Sequence, residues 1–407
     1  MSLVHGGSKS QRFPCLDGYR AIAALMVVCT HTAFHTAFVT HGAGGAFFSR
    51  LDFGVTLFFV ISGFLLFRPW STAAIRDSAK PRTKAYAIRR AARILPAYVL
   101  VVAVVLIILP TIRGAESNFG VWKYWVTHLS FTQIYVPNAQ VRGLTQMWSL
   151  AVEVVFYVFL PLAGWWLVRR RRPGAEGVSR QLRFLFGLVV VGIVATVVRA
   201  LWGPGAPLFV GFWLPAYLDW FAVGMIFAVI HEAKRHGIET RFGRALDRLA
   251  ADPLVPVGIG VLILVIAMTP LAGPYILVPS TPFATMSRHY LYLMAAAMFI
   301  IPGLFGNQGQ GLWRTFLQSP IMQFLGQISY GIFLWHLIVI ELVWITFGWG
   351  EFSGPMIIAL PVVVIVSIFA GWLSWIVVER PALAWSHRVT SNSTPPQHST
   401  PRSSVQL

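Results

Sequence analysis

The chain alternates long apolar runs with short polar connections. Ten runs approach the roughly 20 residues that an α-helix needs to cross about 30 Å of hydrocarbon. They cover approximately residues 19–38, 51–68, 94–110, 147–168, 184–202, 208–231, 254–270, 289–305, 320–347 and 355–378. This pattern predicts an all-α integral membrane protein with about ten transmembrane helices, located in the plasma membrane.

Composition excludes a soluble globular protein. Of the 407 residues, 56% are hydrophobic and 11% are charged, and soluble domains carry about 25% charged residues. The mean hydropathy is +0.68. Cys15 and Cys29 are the two cysteines, which excludes a disulfide scaffold and a cysteine metal cluster.

Basic residues orient the predicted spans. Six of the 32 lie in connections on one side of the membrane, and the remaining 26 collect on the other. Positively charged connections stay in the cytoplasm, so both termini are expected there. The six are Arg50, Arg113, Lys123, Arg142, Arg199 and Arg288. The net charge of +18 is therefore mostly a topology signal, and no nucleic-acid partner is expected. The positive potential of this side of the protein would also attract a polyanionic cofactor.

The domain organisation follows from the same pattern. Residues 1–12 form a polar cytoplasmic leader, and residues 13–385 form the transmembrane domain. Residues 386–407 are rich in Ser, Thr, Pro and Gln and lack an apolar period, which predicts a disordered cytoplasmic tail.

Ionisable residues inside apolar spans are candidate functional residues, because each is costly in lipid unless it is paired or faces a cavity. Arg20 and His31 are eleven residues apart in the first span, so they share one helix face about 16 Å apart. This arrangement suits a long ligand with an anionic head and a reactive end, such as coenzyme A. The alternative for His31 is a structural hydrogen bond between helices, and His35 is interpreted as an outer-edge polar residue.

Further ionisable residues lie in later spans. Asp52, Glu153, Asp219, His336 and Glu341 are candidates of this kind, and His336, Asp52 and Asp219 are the predicted substrate-binding residues. Ser62 is interpreted as a helix-packing residue, and Glu379 with Arg380 as a structural anchor. The chain lacks the His-Glu-x-x-His and Gly-x-Ser-x-Gly motifs, so no metal site and no zinc hydrolase are expected.

Seven segments in order, over about residues 13 to 385, resemble the membrane-bound acyltransferase 3 family. They are LDGYRAIAALMVVCTH with Arg20 and His31; LDFGVTLFFVISGFLLF; YAIRRAARILPAYV with Arg89, Arg90, Arg93 and Pro96; WSLAVEVVFYVFLPL with Trp148, Glu153, Tyr157 and Pro161; LDWFAVGMIFA with Asp219; ISYGIFLWHLIV with Ser329, Tyr330 and His336; and VVERP.

The resemblance implies transfer of an acyl group, often acetyl, from cytosolic acyl-CoA to a hydroxyl of a carbohydrate, glycolipid or antibiotic. Acyl-CoA would be a co-substrate, with no tightly bound cofactor. The family pattern makes His31 the catalytic base and Arg20 a partner of the coenzyme phosphates or of a site carboxylate. The residues are equally consistent with His31 as a temporary acyl carrier.

Other residues receive supporting roles in this interpretation. Glu153 and His336 would orient the imidazole or the acceptor. The cluster of Arg89, Arg90 and Arg93 would bind coenzyme phosphates. The alternative, given equal weight, is that these arginines only orient the protein in the membrane. A cell-envelope carbohydrate or glycolipid is the first expectation for the acceptor, and a secreted natural product such as a macrolide is the second.

Two other classes of function compete with this interpretation. A transporter or flippase of an acylated sugar or lipid would use the same ionisable residues without coenzyme A. A structural partner in an envelope-synthesis complex would need neither Arg20 nor His31. The chain is expected to contact membrane lipid and to act alone or with a separate extracytoplasmic partner.

Overall fold

The computed structural model describes residues 12–76, 78, 80–112, 121–169, 173–202, 210–275 and 280–391, and every regular element among them is helical. The all-α prediction is confirmed. The helices are α1 (Pro14–His35), α2 (Gly42–Ser49), α3 (Gly54–Arg76), α4 (Thr83–Ala103), α5 (Leu109–Ile112), α6 (Trp122–Leu129), α7 (Met147–Arg169), α8 (Gly174–Trp202), α9 (Leu218–Arg235), α10 (Arg241–Leu249), α11 (Leu254–Ala267), α12 (Pro282–Leu304), α13 (Leu312–Leu317), α14 (Pro320–Phe347), α15 (Met356–Ser374) and α16 (Arg380–Ser391).

Seven helical segments in the described part of the chain are long and apolar enough to cross a membrane. They are Gly42–Arg76, Thr83–Ile112, Met147–Arg169, Gly174–Trp202, Leu214–Arg235, Pro320–Phe347 and Met356–Ser391, and the count reaches eight if the bent pair α10 and α11 forms one span. Helix α1 is not among the seven, because Asp17, Arg20 and its histidines lower its hydropathy. The count of ten and the cytoplasmic location of both termini stay predictions.

Glycines allow the central helices to approach closely. A Cβ atom on Gly63 of α3 would lie 2.2 Å from the carbonyl oxygen of Phe221 in α9, and one on Gly224 would lie 2.0 Å from the oxygen of Val60. Similarly, a Cβ on Gly326 of α14 would lie 2.2 Å from the oxygen of Asp17 in α1. Small residues of this kind permit close packing where lipid supplies no hydrophobic drive. As a result α3 lies against α9, and α1 lies against α14.

Two arginines that we counted as topology signals tie the fold together internally. Arg50 is 4% exposed and donates from Nε to the carbonyl oxygen of Ala267 at 2.8 Å. Arg314 is 1% exposed and donates to the carbonyl oxygens of Pro302 at 2.8 Å and Ala250 at 2.6 Å. Carbonyl groups at chain turns need partners where water is scarce, so these guanidinium groups stabilise the connections around α11 and α12.

The C-terminal boundary differs from the prediction. Helix α16 continues to Ser391, six residues into the segment for which we predicted disorder, because Ser386 and Thr390 are buried on one of its faces and donate to backbone carbonyls one turn earlier. Residues 392–407 and 1–11 lie outside the described residues. Between α15 and α16, residues Trp375–Glu379 form one π-helical turn.

We expect Gly63→Ala to destabilise the protein by about 1–3 kcal/mol or more, because the new methyl group must displace backbone of α9. Gly187→Ala is the matched control, since a Cβ atom there meets nothing within 4 Å and should leave stability unchanged or raise it by up to about 1 kcal/mol. Thermal unfolding in detergent measures both. Equal melting temperatures of the two variants would contradict the close crossing of α3 and α9.

Candidate active site

Two histidines from opposite ends of the sequence meet between α1 and α14. The Nε2 atom of His336 lies 3.1 Å from the Nδ1 atom of His31, and the ring centroids are 5.0 Å apart. Each Nδ1 also lies beside a backbone carbonyl of its own helix. The distance is 2.9 Å from His31 to the oxygen of Val27 and 2.7 Å from His336 to that of Phe333.

These contacts fix the tautomers of both rings. A carbonyl oxygen accepts hydrogen bonds and cannot donate them, so the network assigns a proton to Nδ1 of each ring. The Nε2 atom of His336 is then unprotonated. It accepts a hydrogen bond from the Nδ1–H group of His31, which also donates to the carbonyl oxygen of Val27. The Nε2 atom of His31 keeps a free lone pair, and this ring is only half-buried whereas that of His336 is fully buried. His31 therefore combines the interhelical hydrogen bond of the structural alternative with the free nitrogen that a base requires.

A cavity of about 400 Å³ lies beside this pair. Its lining includes Phe58 and Phe333, whose ring centroids are 6.3 Å apart. Phe333 connects the two sites, because its carbonyl oxygen accepts the hydrogen bond from His336. Neither histidine is among the described residues that line the cavity. The histidine pair thus borders the cavity lining through His336, whose ring centroid lies 5.9 Å from that of Phe333.

The cavity brings together five of the residues predicted from sequence. Its lining contains Arg20 of α1, Arg89, Arg90 and Arg93 of α4, and Glu153 of α7. Helix α4 begins at Thr83, so Arg93 lies about 15 Å along the helix axis from that end. The arginine cluster therefore lies in the second and third turns of α4.

The four arginines differ in their partners. Arg93 Nη1 lies 3.3 Å from Glu379, and Arg20 Nη1 lies 3.9 Å from Asp17. In the part of the chain that the structure describes, neither Arg89 nor Arg90 forms an ion pair with a carboxylate; the guanidinium of Arg90 lies 6.0 Å from the centroid of the Tyr157 ring. Arg89 and Arg90 are therefore the two cavity arginines without a carboxylate within 4 Å among the described residues, and Glu153 is a carboxylate in the same lining.

Ser62 lines the cavity and donates a short hydrogen bond to Glu153. Its neighbour Gly63 faces the other way and makes the close contact with α9. Both small residues therefore join neighbouring helices, because Gly63 makes the close contact with α9 and Ser62 donates to Glu153 of α7.

The predicted substrate-binding carboxylates lie elsewhere. Asp52 accepts a hydrogen bond from the Tyr292 hydroxyl. Asp219 is fully buried, with Oδ2 2.8 Å from Nε2 of His289, whose Nδ1 lies 3.5 Å from Arg199. Neither aspartate is among the described cavity-lining residues, and their substrate-binding role stays a prediction. His289 was not identified from sequence, although it stands beside Arg288 at the start of an apolar run.

The connection that precedes α7 is fastened to α14 close to His336. Arg142 Nε donates to Glu341 at 2.7 Å, and Arg142 also pairs with Glu351. The side-chain amide of Gln146 donates to the carbonyl oxygen of Leu334 at 3.2 Å. Glu341 is 3% exposed, so the intramembrane carboxylate noted in the sequence is compensated by a guanidinium from this connection. The sequence gives no local signal that pairs these residues.

Comparison with known proteins defines the class of protein. Residues 13–378 match a family model described as an acyltransferase domain. The chain therefore belongs to the acyltransferase 3 family, and it is an acyltransferase and a multi-pass protein of the plasma membrane. No solved structure matches it.

Three curated relatives illustrate the family. Acyltransferase MdmB of Streptomyces mycarofaciens is 29% identical over 96% of each chain. The putative peptidoglycan O-acetyltransferase YrhL of Bacillus subtilis is 26% identical over 93% of this chain and 56% of its own length. O-acetyltransferase OatA of Staphylococcus aureus is 25% identical over 81% of this chain and 51% of its own length. The chain thus spans about half the length of the latter two relatives.

We expect His336→Phe to lower kcat of acyl transfer at least tenfold, because an unprotonated partner for the Nδ1 proton of His31 is lost while the ring volume is kept. The KM for the acyl donor should change little, since His336 does not line the cavity. Steady-state transfer kinetics in membranes measure both constants. A variant with unchanged kcat would remove His336 from the site.

Proposed function

We propose that the protein is an O-acyltransferase that moves an acyl group, with acetyl as the simplest case, from acyl-CoA to a hydroxyl of a cell-envelope carbohydrate or glycolipid. The observation that carries the proposal is the cavity with four arginines beside a histidine pair that leaves one nitrogen free. Two relatives named as O-acetyltransferases support transfer of the acyl group to a hydroxyl. The word peptidoglycan in one name supports a carbohydrate acceptor.

The proposed donor site uses the uneven charge of the cavity. Arg89 and Arg90 would bind the phosphate oxygens of coenzyme A, because a guanidinium without a carboxylate partner can donate two parallel hydrogen bonds to phosphate. The pantetheine arm would extend past Arg93 and Arg20 toward Phe333. The coenzyme is a co-substrate in this proposal, and it leaves after each transfer.

In the proposed chemical step, Nε2 of His31 removes the proton of the acceptor hydroxyl as its oxygen attacks the thioester carbonyl carbon. A carbon–oxygen bond forms, the carbon–sulfur bond breaks, and the proton passes from the imidazolium to the thiolate of coenzyme A. His336 disperses the positive charge that forms on His31, because its Nε2 accepts from the Nδ1–H group. General-base catalysis of this kind contributes about 10²- to 10⁴-fold to a rate.

The acyl-carrier route uses the same nitrogen. Nε2 of His31 would attack the thioester itself, and the acceptor hydroxyl would then attack the acyl-imidazole. Both routes need the free lone pair of His31. Trapping of labelled acyl-His31 in the absence of an acceptor separates them.

We expect His31→Ala to abolish transfer of radiolabel from acetyl-CoA into envelope lipid or glycan while the protein still accumulates. His128→Ala is the matched control, because His128 is also an intrahelical donor, with Nδ1 2.9 Å from the carbonyl oxygen of Tyr124, and it does not line the cavity. The control should retain transfer. Undiminished transfer by His31→Ala would remove this imidazole from the chemistry.

We expect coenzyme A to raise the melting temperature of the detergent-purified protein. At a hundredfold excess over Kd, a ligand specific for the folded state adds about 2.7 kcal/mol. The double variant Arg89→Gln, Arg90→Gln should lose most of this shift. Arg244→Gln is the control, since Arg244 pairs with Glu239 at 3.0 Å on an exposed surface. A shift that persists in the double variant would place the phosphates elsewhere.

A further inference from the structure

Glu379 is buried by an irregularity in its helix. The buried residues of α15 include Ser367, Gly371 and Ser374, at the spacings of four and three that one face of an α-helix requires. The next fully buried residue is Glu379, five positions after Ser374, and the π-helical turn Trp375–Glu379 accounts for that spacing. A π turn inserts one residue into a helix and is frequent at functional sites. Here the turn directs a carboxylate into the protein.

The carboxylate of Glu379 is held on several sides. Oε2 lies 3.3 Å from Arg93, and Oε1 accepts from Ser374 at 3.4 Å. On α14, a Cβ atom at Gly331 would lie 3.1 Å from Oε1, so a larger residue there would crowd the carboxylate. Glu379 is 1% exposed. Glu379 therefore belongs to the interior, where its contact with Arg93 is compatible with the structural anchor that we predicted for Glu379 and Arg380.

Arg93 is fixed between this carboxylate and two aromatic rings. Its guanidinium carbon lies 5.5 Å from the ring centroid of Tyr330 and 5.7 Å from that of Trp375. A guanidinium has five N–H donors, and the contact with Glu379 is the one hydrogen bond that it makes within the described residues. Because Arg93 lines the cavity with a side chain that is 17% exposed, its other donors are available to a molecule inside.

We propose that Glu379 is a positioning residue of the donor site: the π turn places its carboxylate behind Arg93, and this contact aims the remaining donors of Arg93 at acyl-CoA. The inference rests on the proposed function. It differs from a general role in stability, because it predicts that Glu379 acts on donor binding and does so through Arg93. Glu379 itself does not line the cavity, so it contacts no substrate.

The test measures KM for acetyl-CoA and kcat in membranes for Glu379→Gln, Arg93→Gln and the double variant. We expect Glu379→Gln to raise KM about tenfold or more, the size expected for a lost hydrogen bond to a charged group, with a smaller change in kcat. The double variant should be no weaker than Arg93→Gln alone, because residues that act through one contact are not additive. Glu379→Asp, which keeps the charge, should fall between Glu379→Gln and the wild type.

The matched control is Glu232→Gln. Glu232 is also fully buried and pairs with an arginine of a neighbouring helix, Arg68, at 2.7 Å, but neither residue lines the cavity. It should alter stability and leave KM for acetyl-CoA unchanged.

An unchanged KM in Glu379→Gln, or a double variant that multiplies the two single effects, would overturn the inference. If Glu379→Gln does not accumulate, Glu379→Asp decides by the same criterion, since a KM equal to that of the wild type overturns the inference. The proposed function fails separately, if wild-type membranes transfer nothing from acetyl-CoA.

Discussion

The hydrogen bond between the two histidine rings is the contact on which the account depends. It joins α1 to α14 within the apolar body of the protein, where a polar side chain without a partner costs several kcal/mol. The same two helices also approach closely at Gly326, about 15 Å along α14 from His336. With both Nδ1 atoms committed to backbone carbonyls, one nitrogen of His31 is left as the free base of the pair. Helix packing thus determines the chemical state of the imidazole.

A second constraint is the placement of charge in the cavity. Arg89 is exposed and the other three arginines of the cavity are half-buried, and carboxylate partners are supplied unevenly along α1 and α4. Arg93 and Arg20 have carboxylate partners, whereas Arg89 and Arg90 do not form such ion pairs among the described residues. An anionic head would be attracted to the two arginines without such partners, and a neutral chain would pass the other two. In the proposed binding mode the phosphates of acyl-CoA would lie at Arg89 and Arg90, and its neutral acyl end would lie beyond Arg93 and Arg20.

Features of the sequence that are local in the chain predicted much of this arrangement. Arg20, the arginine run of α4 and the intramembrane Glu153 all line one cavity, whereas His31 of the same helix as Arg20 lies outside its described lining. Contacts between distant residues were not predictable in this way. His31 and His336 are 305 positions apart, and periodicity carries no information about which helices become neighbours. The π turn that buries Glu379 was also not predictable, because it interrupts the α-helical spacing of apolar residues on which the prediction of helices relies.

Two features of the structure show the limits of reasoning from hydropathy and residue size. Helix α1 carries the central histidine, and its polar residues leave it outside the seven apolar helical segments, although residues 19–38 were predicted as a span and the helix packs between α3, α14 and α15. Ser62 and Gly63 are adjacent small residues with opposite surroundings, one in the cavity and one against α9. Sequence identifies both as small, and only the helix orientation separates their roles.

The most direct test is a cryo-EM structure of the protein with an acetyl-CoA analogue in which a methylene group replaces the thioester sulfur. The account predicts phosphate density at Arg89 and Arg90, with the acetyl carbonyl within reach of His31 Nε2 once the Phe333 side chain moves aside. Phosphate density elsewhere, or an acetyl group separated from His31 by intact protein, would contradict it.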